Sequence, residues 1–140
     1  MQTLEVTKVV ILNEKGEMLL VRRSKTDVRR PLQWDIPGGH VDDGEDIKQA
    51  VIRETKEEAG VDVTLPQLRL IYATSKIGNG VGISWVFFAA NLSRTPQVTL
   101  SHEHEGFAWM KPEQALQEIE YDLHRTMLNY ALPNHLLEAT

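Results

Sequence analysis

The stretch Pro37-Gly38-Gly39 followed, seven residues on, by a helix that turns from apolar to acidic constrains this chain most. A Pro-Gly-Gly triplet demands unusual backbone geometry, because only glycine reaches positive φ without a steric cost. Asp46 and Gln49 have the spacing of a helix N-terminal capping box, and Gly60 is a natural left-handed stop. The helix therefore spans the segment from Asp46 to about Ala59. On a wheel of about 100° per residue, Ile47, Ala50 and Val51 form its apolar stripe. Glu54 and Glu58 continue that stripe, and Glu57 lies beside Ala50. The half of the face that should finish the core is thus carboxylate. Three acids at i, i+3 and i+4 converge on one point, where unpaired they repel each other and resist burial. A bound cation resolves this, and three hard oxygen donors suit Mg2+ or Mn2+. The competing reading is a solvated acidic helix face.

Composition supports the local reading. The net charge is −5, and seven acids stand against three bases between Asp42 and Glu58. An acidic protein without a basic surface is a poor binder of nucleic-acid backbones. There is no cysteine, which excludes disulfides, thiolate metal sites and a cysteine nucleophile. No apolar run is long enough to span a membrane, and the N-terminus does not have the pattern of a secretory signal, so a cytoplasmic protein is expected. The 140 residues suit one domain with one core, residues 1–140.

Along the chain, Val6 to Leu12 and Glu17 to Val21 read as a hairpin about the turn Asn13 to Gly16. Ser24 to Gln33 reads as a polar, basic loop. Val61 to Val63 and Gln67 to Ser75 read as extended, and Gly78-Asn79-Gly80 as a turn. Ile83 to Ala90 is a continuous apolar run, expected as a buried central strand. Gly106 to Met110 reads as a short strand, Pro112 as the first residue of a helix, and Glu118 to Leu132 as a last helix stopped by Pro133. Strands alternating with a few helices predict an α/β domain with a mixed sheet. No Ser-His-Asp spacing and no phosphate loop ending in Lys-Ser/Thr is present, which sets aside serine hydrolysis and P-loop chemistry.

The segment Gly39 to Val61 resembles the Nudix box of the MutT-like hydrolases. It carries Gly39, Glu45, Arg53-Glu54, Glu57-Glu58, Gly60 and Val61 at the family's spacing over 23 residues. One position departs: Thr55 stands where a large aliphatic residue is usual. The Trp34 to Gly39 approach and the Glu103-His104 to Trp109 segment extend the likeness. The resemblance implies a mixed β-sheet sandwiched between α-helices. It also implies Mg2+- or Mn2+-dependent hydrolysis of a diphosphate bond in a nucleoside diphosphate linked to another group. It gives Glu57 and Glu58, with the Gly38 carbonyl, as metal ligands, and Glu54 as a ligand or as the base. Arg53 is then the residue that holds the carboxylates, pairing with Glu45, and Glu45 and Gly60 are structural.

Glu103 resembles a late glutamate that serves as base or metal contact, with Glu105 as substitute. His102 and His104 read as polar loop residues. Arg22, Arg23, Arg29 and Arg30 precede the box and could bind substrate phosphates; Arg23, at the end of a strand, is the expected contact, together with the Gly39 N–H. Trp34, Tyr72, Trp85, Phe87 and Trp109 could stack on a base, but core packing is the commoner role. A nucleoside triphosphate is the leading substrate. The alternatives are ADP-ribose, dinucleoside polyphosphates and nucleotide sugars. The residues Lys76 to Asn79 lack the proline or tyrosine that marks the first two of these subgroups. A non-catalytic Nudix-like binding domain and a homodimer through the final helix are also compatible with the resemblance.

Overall fold

The computed structural model describes residues 2–138. Its strands are β1 (Gln2–Leu12), β2 (Met18–Arg23), β3 (Trp34–Asp35), β4 (Gly38–His40), β5 (Arg69–Gly78), β6 (Val81–Asn91) and β7 (His104–Met110). Its helices are α1 (Ile47–Ala59), α2 (Pro112–Glu118) and α3 (Asp122–Ala131).

β1 is the hub of one mixed sheet. It runs parallel to β6 in unbroken register from Gln2↔Val81 to Leu12↔Asn91, and β5 closes that side antiparallel to β6. The expected hairpin is real only at its turn. β1 and β2 pair at Leu12↔Met18, held by the Asn13 side chain, which accepts from the Lys15 and Glu17 N–H groups, and then diverge. The segment Trp34 to His40 fills the wedge. β3 pairs with β2 at Val21↔Asp35, the Pro37 carbonyl accepts from the Val9 N–H, and β4 pairs with β1 from Val6↔His40 to Lys8↔Gly38. Gly38 has φ 138°, and a Cβ there would lie 2.1 Å from the Thr7 carbonyl oxygen. Only glycine fits this crossing.

Both faces of the sheet are covered, so β1 and β6 read as continuous apolar runs instead of alternating ones. Val6, Val10 and Leu12 join Trp85, Phe87 and Ala89 under α3, whose Leu123, Met127 and Leu128 complete that core. Val9 and Ile11 join Leu19, Phe88 and Ala90 under α1, through Val51 and Ala59. This is the α/β/α arrangement that the resemblance implies.

Local signals hold at α1. Asp46 caps it by accepting from the Lys48 and Gln49 N–H groups, and Gly60 ends it at φ 68°. Thr55 is fully buried in the helix. Two expectations are corrected. Gln67 belongs to a 3-10 turn at Leu65–Gln67, and the extended run starts only with β5 at Arg69. The last helix does not begin at Glu118. Ile119 is extended and 1% exposed, and α3 starts at Asp122. Arg125 donates to the carbonyls of Leu116 and Ile119, which satisfies the open end of α2 and makes the break affordable.

Candidate active site

α1, β4 and the start of β7 meet at one place, and the acids of α1 lie there. Arg53 organises them. Its Nε and Nη2 grip Glu45 at 2.8 and 2.9 Å in a bidentate pair, Nη1 donates to Glu54 at 3.0 Å and to Glu57 at 3.4 Å, and Nη2 also reaches the His40 carbonyl. The guanidinium holds the Glu45 carboxyl down at about 2. Glu45 thus ties the loop before α1 to the middle of the helix.

The three box carboxylates differ in surroundings. Glu57 is open to solvent, Glu54 is half-buried, and Glu58 is 8% exposed. Glu54 presses on Gly39 so closely that a Cβ there would sit 2.6 Å from its Oε2. Glu58 accepts from the Gly38 N–H at 2.8 Å. Burial pushes the Glu58 carboxyl up to about 7, against the pull of Lys8 and of that hydrogen bond. Burial also raises Glu54, although Arg53 opposes it. Three hard oxygen donors lie side by side here, and burial disfavours the charge on two of them, which suits a divalent cation. Among the described residues, no three acids or histidines yet close into a ligating group. In this arrangement Arg53 engages Glu54 and Glu57, and Glu58 turns to Gly38.

The Gly38 carbonyl faces Lys8 Nζ at 3.4 Å. Arg23 reaches the site's edge, but Nη1 is held by Asp35 at 2.8 Å and Nη2 by Asp27 at 2.7 Å. Glu103 is exposed and contributes its backbone carbonyl to the Ser24 N–H. Glu105 is exposed and accepts from the Lys25 N–H. The residue of this segment that turns inward is His104, 8% exposed, with Nε2 3.5 Å from Glu58 Oε2. Gly60 lies against Thr99. Trp85 and Phe87 belong to the core, stacked at 6.4 Å between ring centroids.

Sequence reasoning missed four residues here: Lys8, Asp35, His104 and His124. Asp35 is 2% exposed, and Lys8, Arg23, Arg30 and His124 all point at it. Burial works against its ionisation, yet Lys8, the His124 hydrogen bond and Arg30 hold it well below the usual carboxylate range. The available signal was a lone lysine inside the apolar run Val6 to Leu12. A cavity of about 550 Å³ lies past the C-terminus of α1, lined by Gly60, Gln67, Arg94 and Pro96 among others, and includes none of these acids.

Comparison with known proteins agrees with this geometry. The NUDIX domain family matches residues 3–130. The chain is 38% identical over 114 residues to a bis(5'-nucleosyl)-tetraphosphatase (asymmetrical) of Caenorhabditis elegans, covering 76% of each protein. It is 29% identical to a CTP pyrophosphohydrolase of Escherichia coli, covering 84% of this chain and 82% of that one. The solved structure of a MutT protein from Methanosarcina mazei superposes with a TM-score of 0.81 at 27% identity, over 95% of this chain and 96% of that one. Box motif, sheet topology and these matches lead to one conclusion: the chain belongs to the Nudix family of hydrolases acting on phosphoric anhydrides.

Proposed function

We propose that this protein is a nucleoside triphosphate pyrophosphohydrolase that works with Mg2+ or Mn2+. The observation that carries the reading is the set of box carboxylates, Glu54 and Glu57 gripped by Arg53 and the buried Glu58 held by the Gly38 N–H, beside the Gly38–His40 strand. Glu57, Glu58 and the Gly38 carbonyl would hold the ion, with Glu54 as a further ligand or as the base. Such an ion neutralises charge on the diphosphate and acidifies an attacking water.

The chain's own residues supply the rest. Water attacks one phosphorus, the bridging P–O bond breaks, and the departing phosphate leaves with the bond electrons. The water's proton goes to a carboxylate. Glu54 is assigned that role, since burial already favours its protonated form. Glu103, exposed just before β7, is the second candidate. Arg53 and Glu45 are positioning residues. The Gly39 N–H is assigned to a substrate phosphate. A nucleotide substrate also sets the proposed location, the cytoplasm, where nucleotide pools lie.

Support for a triphosphate comes from relatives named CTP pyrophosphohydrolase and nucleoside triphosphatase. A second reading, asymmetric cleavage of a dinucleoside tetraphosphate, is favoured by the 38% identity to the nematode tetraphosphatase. The test is a hydrolysis screen with Mg2+ or Mn2+ over nucleoside triphosphates, oxidised triphosphates, dinucleoside tetraphosphates, ADP-ribose and nucleotide sugars, with an EDTA control and product identification. Release of pyrophosphate from a triphosphate supports the first reading. Selective cleavage of the tetraphosphate replaces it with the second. Cleavage of neither class overturns both.

A further inference from the structure

Asp35 is one carboxylate facing four side chains. Its Oδ1 accepts from the Ile36 N–H at 2.8 Å and lies 2.8 Å from His124 Nε2. Its Oδ2 accepts from Arg23 at 2.8 Å and lies 3.6 Å from both Lys8 Nζ and Arg30 Nη2. Asp27 adds one more negative charge, taken by Arg23. Lys8 also feels the charges of Glu58 and Glu54, so it links this group to the acids of α1, and the side chains of Lys8, Arg23 and Arg30 are 6, 19 and 17% exposed.

The three cations are not equally occupied. Arg23 has both terminal nitrogens on carboxylates. Lys8 has three hydrogens, and its contacts are the Gly38 carbonyl at 3.4 Å and Asp35 at 3.6 Å, both beyond a good hydrogen bond. Arg30 lays its guanidinium 3.9 Å from the centre of the Tyr121 ring, and its buried Nη1 has no hydrogen-bond partner. Two cations with spare donors thus flank one Asp35 oxygen, each 3.6 Å from it.

We propose that Lys8 and Arg30 form a phosphate-binding site beside the acid cluster. It receives a phosphate group of the nucleotide that lies away from Glu54, Glu57 and Glu58, and Asp35 is the positioning residue that holds both cations. This inference rests on the hydrolase reading for the identity of the ligand. Lys8 also contacts the Gly38 carbonyl, so the site adjoins the loop that carries the box. A polyphosphate chain running from the acids toward Tyr121 meets Lys8 first and Arg30 at the more exposed end. His124 fixes the far side of Asp35. Its ring is wholly buried, set edge-on against Trp85, Phe87 and Tyr121, and its Nδ1 has no partner. A bare lone pair there costs less than a bare N–H, so Nε2 carries the hydrogen and donates to Asp35.

The probe is inorganic pyrophosphate in EDTA, titrated calorimetrically into wild type, Lys8→Met, Arg30→Gln and the exposed control Arg29→Gln. Wild type and the control bind alike, and the other two variants weaken by at least about tenfold, the usual worth of a charge-assisted hydrogen bond. Mn2+ binding is not weakened in either variant. Equal pyrophosphate binding by all four proteins, or none by wild type, overturns the site. Arg30 lies in the loop between β2 and β3, so Arg30→Gln keeps the test decisive if Lys8→Met fails to fold. A wild type that binds pyrophosphate but cleaves no nucleotide overturns the hydrolase reading and leaves the site standing. Cleavage with an unchanged KM in both variants does the reverse.

Discussion

At the scale of single residues, the box acids divide by burial. Glu57 and Glu58 are assigned to hold the cation, and removing a group that stabilises transition-state charge costs about 10²-fold or more. Glu57→Gln and Glu58→Gln should each lower turnover by that order in a steady-state assay, with near-normal circular dichroism. Full turnover in both would remove them from the site. Glu54→Gln should lose more than Glu103→Gln if Glu54 is the base. The opposite ranking in the same assay transfers that role to Glu103.

Glu58 also makes a pH prediction for the metal-free protein. Its carboxyl titrates near 7 when folded and at 4.5 in the reference state. Between those values the unfolded chain releases a proton that the folded one keeps. Stability from this group is therefore complete below pH 4.5 and is lost as pH rises through 7. The loss is roughly 3 kcal/mol, at 1.36 kcal/mol per unit. Glu58→Gln keeps an oxygen for the Gly38 N–H and removes the titration. Urea unfolding in EDTA should show the variant more stable than wild type at pH 8 and equal to it near pH 4. Equal stability at pH 8 would contradict the burial argument.

At the scale of elements, α1 was legible because its signals are local: a capping aspartate, an apolar stripe and a left-handed glycine. Asp46→Ala should cost about 1 kcal/mol in denaturant unfolding through lost capping. The wedge of β3 and β4 was not legible. Two strands of two and three residues carry no periodicity, and their partners lie far away in sequence. Gly38 is their weak point. Gly38→Ala forces a Cβ into the Thr7 carbonyl at a positive φ. It should lower the thermal midpoint by far more than Asp46→Ala does. A comparable drop would mean that the β1–β4 crossing can open without penalty. The final helix was misread for a related reason. The break at Ile119 depends on burial of that side chain and on Arg125 reaching back to two carbonyls, neither of which appears as a breaker residue in the sequence.

At the scale of the whole molecule, the acid cluster couples the two sides of the sheet. α1 carries the carboxylates, while Lys8 and Asp35 carry the charge network through the wedge to His124 on α3. Among the described residues no helix is long and apolar enough to cross a membrane. An ion that binds only the folded protein stabilises it by about 2.7 kcal/mol at a hundred times its Kd. Mn2+ should therefore raise the thermal midpoint at pH 8, EDTA should reverse the rise, and Glu57→Gln should blunt it. A midpoint insensitive to Mn2+ would sink the cation assignment.

The sequence by itself determined the family, the α/β class, α1 with its caps, and the acids on its face. Each of these is written in spacing over a few turns, and one helix displays it without help from the rest of the chain. Only the tertiary structure decided which residues surround those acids. Nothing local in the sequence marks the partners of Lys8 or Asp35, and His104 reads as a polar loop residue. Diverging strands and two covered faces bring Lys8 and His124 to Asp35, and His104 to Glu58. Burial then sets their charges, and burial belongs to the packed molecule, since no local pattern encodes which distant side chains will exclude water.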